Sequence, residues 1–191
     1  MPHRADSTAA AGLSLSEGTT SACPTGFLAR ERTLTAVPVT LAWVGDGAPR
    51  MEVAHAERHG RELTAVGTQL GAVYELRYRL EPDLLRLELV GHRSLEVPLD
   101  DADFFDLGWS PLFNSLPVMR DGLLESGPAR EYVMRWVDVP SLEVTTSEQR
   151  YEPLGNGLVC FRSGSFSAEI RFDEDEFVVD YPGIARRAGE E

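Results

Sequence analysis

The chain has 191 residues and a formal net charge of −13, with 31 acidic side chains against 18 basic ones. This length suits one domain with a sizeable core. An acidic chain without a basic stripe is a poor match for nucleic acid or an anionic membrane surface, so neither is expected as a partner. Every basic side chain of the Lys/Arg class is arginine, which excludes Schiff-base and P-loop lysine chemistry.

The first 50 residues differ from the rest, because residues 1–30 are rich in Ser, Thr, Ala and Gly. We interpret residues 1–50 as a disordered leader, or as an extension outside the native domain with Met51 as an alternative start. Within them, Leu34–Val44 contains Pro38 and is at best a short edge strand. Cys23 and Cys160 show no paired framework, and no apolar run reaches about 20 residues. The prediction is a cytoplasmic protein without a membrane span.

From Met51 onward the sequence shows strand patterns separated by turns. Val73–Leu80 and Leu84–Val90 alternate apolar and polar residues and predict a hairpin. A second hairpin turn is predicted at Leu154–Leu158, where Asn and Gly tolerate positive φ. The other strands are predicted at Leu63–Gly71, Ser94–Leu99, Glu131–Val139, Leu142–Tyr151, Leu158–Arg162, Ser165–Phe172 and Phe177–Tyr181. Arg58–Val66 is the helix candidate. The predicted fold class is all-β, mainly antiparallel, a sheet curled into a roll or barrel with at most one or two short helices.

The segment Asp106–Leu123 is the most unusual in the chain, because it is apolar yet contains Pro111 and Pro117. Each proline fixes its own φ and removes a backbone donor. We predict that the segment is neither a helix nor a regular central strand, but a stiff, largely buried crossing. The polar residues set within it are Asn114, Ser115 and Arg120.

The common catalytic and metal motifs are missing from this sequence. His55 and His59 are four residues apart but lack an H-E-x-x-H arrangement, so we interpret them as surface histidines and expect no metal and no cofactor. The acidic runs at 100–106 and 173–176 are interpreted as solvated turns rather than as paired catalytic carboxylates or a calcium site. Ser110 lacks the second glycine of a nucleophile elbow and is followed by a proline. We therefore predict no catalytic residue.

Aromatic residues are interleaved with arginines between Trp109 and Tyr181, a pattern that suits either a β core or a pocket for a sugar or amphiphile. Three stretches are more specific: D-L-G-W-S-P-L-F-N-S-L-P-V-M-R, S-E-Q-R-Y-E-P-L and F-V-V-D-Y-P-G-I-A-R-R. In this order and spacing they resemble the bacterial "putative glycolipid-binding" family, from about Met51 to Arg187.

The resemblance implies a spiral antiparallel β-roll or incomplete barrel over residues 51–188, partly like the carriers that move lipoproteins across the periplasm. It also implies an apolar cavity. One departure is Phe113, which stands where many members have a hydroxyl residue and would make the ligand more apolar or mark a separate subgroup. The family's motif positions fall on Asp106, Ser110, Pro111, Asn114, Leu116, Pro117, Arg120, Gln149, Tyr151, Asp180, Tyr181, Pro182, Gly183 and Arg187.

The function that follows is binding of a small, glycolipid-like amphiphile by a monomer or homodimer. The strands at Tyr74–Leu80, Tyr132–Trp136 and Phe166–Phe172 would supply the apolar wall. The residues predicted to bind the ligand are Trp109, Ser110, Asn114, Arg120, Gln149, Tyr151, Asp180 and Tyr181.

Three alternatives stay open. The polar residues could instead pair within the protein, with Asp106 or Asp180 bridging to Arg120 or Arg187. The protein could be a hydrolase of a lipid or sugar ester that uses Asp106 or Glu57, which requires a carboxylate of raised pKa inside the cavity. It could also be a structural or interaction module without a ligand.

Overall fold

The computed structural model describes residues 38–189, and the nature of the leader before residue 38 stays a prediction because it lies outside them. The first seven strands are β1 (Val39–Gly45), β2 (Met51–His59), β3 (Glu62–Leu70), β4 (Glu75–Leu80), β5 (Leu84–Leu89), β6 (Arg93–Pro98) and β7 (Phe104–Leu107). The helix α1 (Pro111–Asp121) follows. The remaining strands are β8 (Arg130–Val137), β9 (Val144–Gly155), β10 (Leu158–Ser163), β11 (Phe166–Phe172), β12 (Val178–Tyr181) and β13 (Ala185–Arg187).

The thirteen strands of residues 38–189 form one sheet in the order β6-β5-β4-β3-β2-β1-β13-β12-β11-β10-β9-β8-β7. Neighbouring strands are antiparallel except β7 and β8, which are parallel. The sheet is curled but does not close, so β6 and β7 are its two edges. The predicted all-β class, with a curled antiparallel sheet and very little helix, is confirmed.

Alternating burial explains most of the strands, because side chains of a strand point alternately to its two faces. In β4 the residues Leu76, Tyr78 and Leu80 are buried while Arg77 and Arg79 are exposed. The predicted hairpins at residues 81–83 and 154–158 are confirmed. The predicted helix at Arg58–Val66 is wrong, since these residues form the β2–β3 hairpin, in which side chains of β2 alternate in burial.

Strand β1 lies inside the sheet, between β2 and β13, so residues 39–44 of the predicted edge strand are not at an edge. Residues 34–37 of that prediction lie outside the described part of the chain. Its Trp43 is fully buried and donates from Nε1 to the carbonyl oxygen of Val178, at 2.8 Å. Pro38 does not interrupt the strand because it precedes the first paired residue, Val39. The folded unit therefore includes residues 39–50, which the sequence analysis assigned to the leader.

The central segment is an α-helix, and the prediction that it could not be one is wrong. Pro111 occupies the first helical position, where its missing N–H would have no partner inside the helix anyway. Pro117 lies in the interior of the helix and removes one backbone hydrogen bond, at a cost of about 3 kcal/mol. Burial of most of the helix offsets that cost. Gly122 ends the helix with φ 65°, a left-handed conformation suited to glycine, and its N–H donates to Val118.

Helix α1 lies between the two halves of the curled sheet. Leu112, Phe113 and Met119 belong to a core cluster formed mainly with strands β1–β7, whereas Val118 belongs to a cluster formed mainly with β8–β12. Leu116 packs against both clusters. The helix thus fills the inside of the roll and fixes its own first residues against the surrounding strands.

Replacement of Trp43 tests whether β1 is part of the fold. We expect Trp43→Ala to lower the free energy of unfolding by about 3–5 kcal/mol, because it leaves a cavity in a packed core. Val44→Ala on the same strand should stay within about 0.5 kcal/mol, since Val44 is exposed. Urea unfolding measures both, and equal small effects would show that β1 does not contribute to the core.

Candidate functional site

The strand β7 and the helix α1 are joined by a tight elbow, Leu107–Ser110. The N–H of Gly108 donates to the carbonyl of Val137 at 2.9 Å, and the N–H of Ser110 donates to Leu107 at 3.0 Å. Trp109 has φ 68°, a left-handed conformation that is strained for a bulky residue. Its indole is 45% exposed. The elbow therefore holds a tryptophan outward at a cost in backbone energy, which is typical of functional sites.

A buried carboxylate holds this elbow in place. Glu52 of β2 is only 3% exposed, and its Oε1 accepts hydrogen bonds from Tyr78 at 2.5 Å and from Ser110 at 2.6 Å. Its Oε2 is buried and has no hydrogen-bond partner among residues 38–189. Burial raises the pKa of Glu52 from 4.5 to about 7, against the opposing effect of the two hydrogen bonds. Gly67 makes room for the ring of Tyr78, because a Cβ there would lie 2.3 Å from it.

A second group fixes the elbow from β3. The side chain of Gln69, which is 1% exposed, donates from Nε2 to the carbonyl of Gly108 at 3.1 Å. The hydroxyl of Tyr74 donates to the Oε1 of Gln69 at 2.9 Å. Glu52 and Gln69 therefore tie β2, β3 and β4 to the start of α1.

A further polar network lies on the other side of the elbow. Gln149 donates from Nε2 to the Oδ2 of Asp106 at 2.5 Å. The hydroxyl of Tyr151 lies 3.1 Å from the Oδ1 of Asn114 and 3.2 Å from the Oε1 of Gln149, so one proton serves two acceptors. The amide of Asn114 reaches the carbonyl of Ser110 at a long 3.5 Å. Burial raises the pKa of Asp106 from 3.8 to about 6.

A cavity of about 370 Å³ opens at this point. Asp106 and Asn114 contribute its polar wall, and four aromatic rings contribute most of the rest: Trp109, Trp136, Phe166 and Tyr181. Asp106 lies deep beneath protein atoms yet is partly accessible, because it borders this cavity. Aromatic walls around a few polar groups are typical of small-molecule sites.

A larger depression, about 550 Å³, lies on the outer face of β2–β6. Its arginines are mostly paired with neighbouring carboxylates: Arg86 contacts Glu81 and Glu96, and Arg77 contacts Glu75. We interpret it as a solvated sheet face, and place the candidate site in the smaller aromatic pocket.

The structure brings six of the eight predicted site residues together. Trp109, Ser110, Asn114 and Tyr181 line the pocket. Gln149 and Tyr151 are buried behind it and are joined to its polar wall by the hydrogen bonds given above.

Arg120 and Asp180 lie elsewhere. Arg120 is near the other end of α1, with its guanidinium 4.0 Å from the ring centroid of Phe104. It pairs with Asp121 at 3.4 Å and Asp103 at 3.7 Å, so the Arg120 version of the bridge to Asp106 or Asp180 is not formed. Asp180 contacts the Nε of Arg186 at 3.3 Å, without the geometry of a hydrogen bond.

The structure also shows the surroundings of Arg187, named in the bridge alternative, and of Phe113. Arg187 donates to the carboxylate of Asp173 and to the carbonyl of Val178. Phe113, the departure from the family pattern, is 1% exposed and packs edge-on against Tyr78 with ring centroids 5.6 Å apart. That substitution therefore contributes to the core and does not face the pocket.

Sequence reasoning missed Glu52, Tyr78 and Gln69 as supports of the site. The sequence did contain one indication for Glu52, because it lies on the same buried face of β2 as Ala54 and Ala56. A glutamate in an apolar phase marks a buried acid with a specific partner.

The fold and the pocket together define an incomplete β-roll protein that carries an aromatic pocket with buried polar walls. Residues 89–187 match the model of the family described as "Putative glycolipid-binding", and the chain belongs to this family. The family description supports a binding role.

Among solved structures, the chain is similar in fold to a DUF1089 family protein from Pseudomonas aeruginosa. The TM-score is 0.52 at 22% sequence identity, over 81% of this chain and 95% of that one. Comparison with curated proteins finds no match. Within residues 38–189, the structure contains no helix with the length and apolarity needed to cross a membrane.

The raised pKa of Glu52 predicts a specific pH dependence of stability. Because its folded pKa exceeds 4.5, the native state is favoured by protonation, and that advantage is lost as the pH rises through about 7. Glu52→Gln removes this ionisation. We expect the stability of the variant relative to wild type to rise by about 2–3 kcal/mol between about pH 5 and about pH 8.5.

Urea unfolding at the two pH values measures the difference. Glu125→Gln is the matched control, because Glu125 is exposed and its substitution should give the same difference at both pH values. A Glu52→Gln effect that does not change with pH would mean that Glu52 is not desolvated.

Proposed function

We propose that the protein binds a small glycolipid-like amphiphile, with the headgroup in the aromatic pocket at the β7–α1 elbow. The observation that carries this proposal is the combination of an exposed, strained Trp109 with the polar wall formed by half-buried Asp106 and buried Asn114. A sugar matches both parts. Its C–H faces pack on aromatic rings, while its hydroxyl groups exchange hydrogen bonds with carboxylate and amide groups.

The polar wall has hydrogen-bonding capacity that the protein itself leaves unused. The side-chain NH2 group of Asn114 makes only the 3.5 Å contact, and the hydroxyl of Tyr181, which borders the pocket, makes no hydrogen bond within residues 38–189. A hydrogen bond contributes about 0.5–1.5 kcal/mol net, and more when one partner is charged. A ligand that supplies hydroxyl groups could form such bonds with both side chains.

The apolar part of the ligand has a place at the edge of the pocket. Phe166 is 41% exposed and lies 6.2 Å from the ring of Tyr181, centroid to centroid. An exposed phenylalanine beside a sugar-sized cavity offers the alkyl chain a surface that removes it from water.

One observation favours a second candidate, a hydrolase that uses Asp106 as a general acid. The hypothesis required a carboxylate of raised pKa inside the cavity, and the pKa of Asp106 is raised to about 6, whereas Glu57 is exposed and contacts His59. Release of 4-nitrophenol from 4-nitrophenyl octanoate or 4-nitrophenyl β-D-glucopyranoside, lost in Asp106→Asn, would favour it. Binding of these compounds without release of 4-nitrophenol would favour the binding function.

The binding proposal predicts the effect of removing the exposed indole. We expect Trp109→Ala to weaken binding of n-octyl β-D-glucopyranoside by about tenfold, because one stacking wall is lost. The free energy of unfolding should change little, since the ring is 45% exposed. Isothermal titration calorimetry, below the critical micelle concentration, measures the affinity.

Leu154→Ala is the control, since Leu154 is 42% exposed on β9 and does not line the pocket. This variant should bind as the wild type does. If Leu154→Ala and Trp109→Ala weaken binding equally, the glucoside associates with exposed apolar surface in general and the pocket is not its site.

A further inference from the structure

We propose that the pocket selects a headgroup bearing a primary ammonium group, an amino sugar, over neutral and anionic headgroups. This inference rests on the proposed function and assigns the chemical class of ligand that the same site takes. It combines the ring arrangement with a half-buried carboxylate, Asp106, that forms no ion pair within residues 38–189.

The first observation is the number of aromatic rings. Trp109, Trp136, Phe166 and Tyr181 all line one cavity of about 370 Å³. Aromatic faces attract cations through the ring quadrupole, and several rings around one cavity make the characteristic site for an organic ammonium ion. The indole of Trp109 already attracts one cation, since the guanidinium of Arg50 lies 3.9 Å from its centroid.

The second observation is the carboxylate of Asp106. Its hydrogen-bond donors are the side-chain amide of Gln149 and the backbone N–H of Leu107, both neutral. It makes no ion pair with any arginine among residues 38–189, and no arginine from that part of the chain lines the pocket. A desolvated carboxylate without a cation is incompletely compensated, and an ammonium group in the pocket would supply the missing charge.

Charge also decides against the other headgroups. A phosphate, sulfate or carboxylate would meet Asp106 in a pocket that no arginine of residues 38–189 lines, although Arg50 lies over the ring of Trp109. The net charge of the chain is −13. A neutral sugar would leave the negative charge of Asp106 uncompensated. The field of an acidic protein also raises the local concentration of cations.

The choice of a primary ammonium over a quaternary one follows from the acceptors in the pocket. Asp106, the Oδ1 of Asn114 and the hydroxyl oxygen of Tyr181 can accept N–H donors. A quaternary ammonium has no N–H, so it would gain only the aromatic contacts. An amino sugar uses the rings, the carboxylate and the amide together.

Three alkyl probes of equal chain length test this. They are n-octyl β-D-glucopyranoside, its 2-amino-2-deoxy analogue and octyltrimethylammonium bromide, titrated calorimetrically near neutral pH below their micelle concentrations. We expect the amino glycoside to bind about tenfold more tightly than the glucoside, the effect of one charge-assisted hydrogen bond. In Asp106→Asn most of this preference should be lost, and the aromatic contacts account for what remains.

Two further variants control the interpretation. Asp101→Asn makes the same chemical change at an exposed position outside the pocket and should keep the tenfold preference. Phe166→Leu removes one ring at an exposed position, where folding is little affected, and should reduce the preference for the amine. Thermal unfolding of Asp106→Asn verifies that it is folded.

Each result has a distinct meaning. A preference for the amine that depends on Asp106 supports the inference. Equal affinity for the two glycosides overturns it and leaves the proposed function standing. If octyltrimethylammonium binds as tightly as the amino glycoside, the sugar is not recognised and the amino-sugar assignment is wrong. If wild type binds none of the three probes, the proposed function itself fails.

Discussion

The arrangement of the site depends on the hydrogen bonds that the carboxylate of Glu52 accepts. Its Oε1 receives hydrogen bonds from Tyr78 on β4 and from Ser110 at the start of α1, and all three side chains are buried. Two sheet strands are thereby fixed to the first turn of the helix. Since a buried acid with one unsatisfied oxygen destabilises the native state when it ionises, this contact costs stability. The same contact makes the β7–α1 elbow rigid.

The elbow connects the core to the pocket. Helix α1 packs between the two halves of the curled sheet, so its N-terminus has little freedom to move. That rigidity holds Trp109 in a strained backbone conformation with its indole exposed, next to the polar wall of Asp106 and Asn114. A site whose walls are preorganised loses less conformational entropy when it binds a ligand. The strain, the buried acids and the exposed ring are therefore parts of one arrangement.

The sequence predicted what depends on local alternation and missed what depends on distant partners. The strands from β3 onward follow patterns of period two, and the Asn-Gly turn between β9 and β10 has a local cause. Helix α1 was missed because the local cost of Pro117 is visible in the sequence, whereas the compensating burial between two sheet halves is not. Glu52 and Ser110 are 58 residues apart, and nothing local joins them. The family motif included most of the residues that the structure brings together at the pocket, but it also included Arg120, which pairs with Asp121 at the far end of the helix.

The three tryptophans allow the central claim to be measured directly, because each has an indole N–H resonance. Trp109 and Trp136 line the pocket, whereas Trp43 is fully buried and hydrogen-bonded to Val178. In a ¹H–¹⁵N correlation spectrum titrated with octyl 2-amino-2-deoxy-β-D-glucopyranoside, we expect the indole signals of Trp109 and Trp136 to shift in a saturable manner while that of Trp43 stays in place. Binding that leaves the Trp109 and Trp136 signals unmoved would show that the aromatic pocket is not the ligand site.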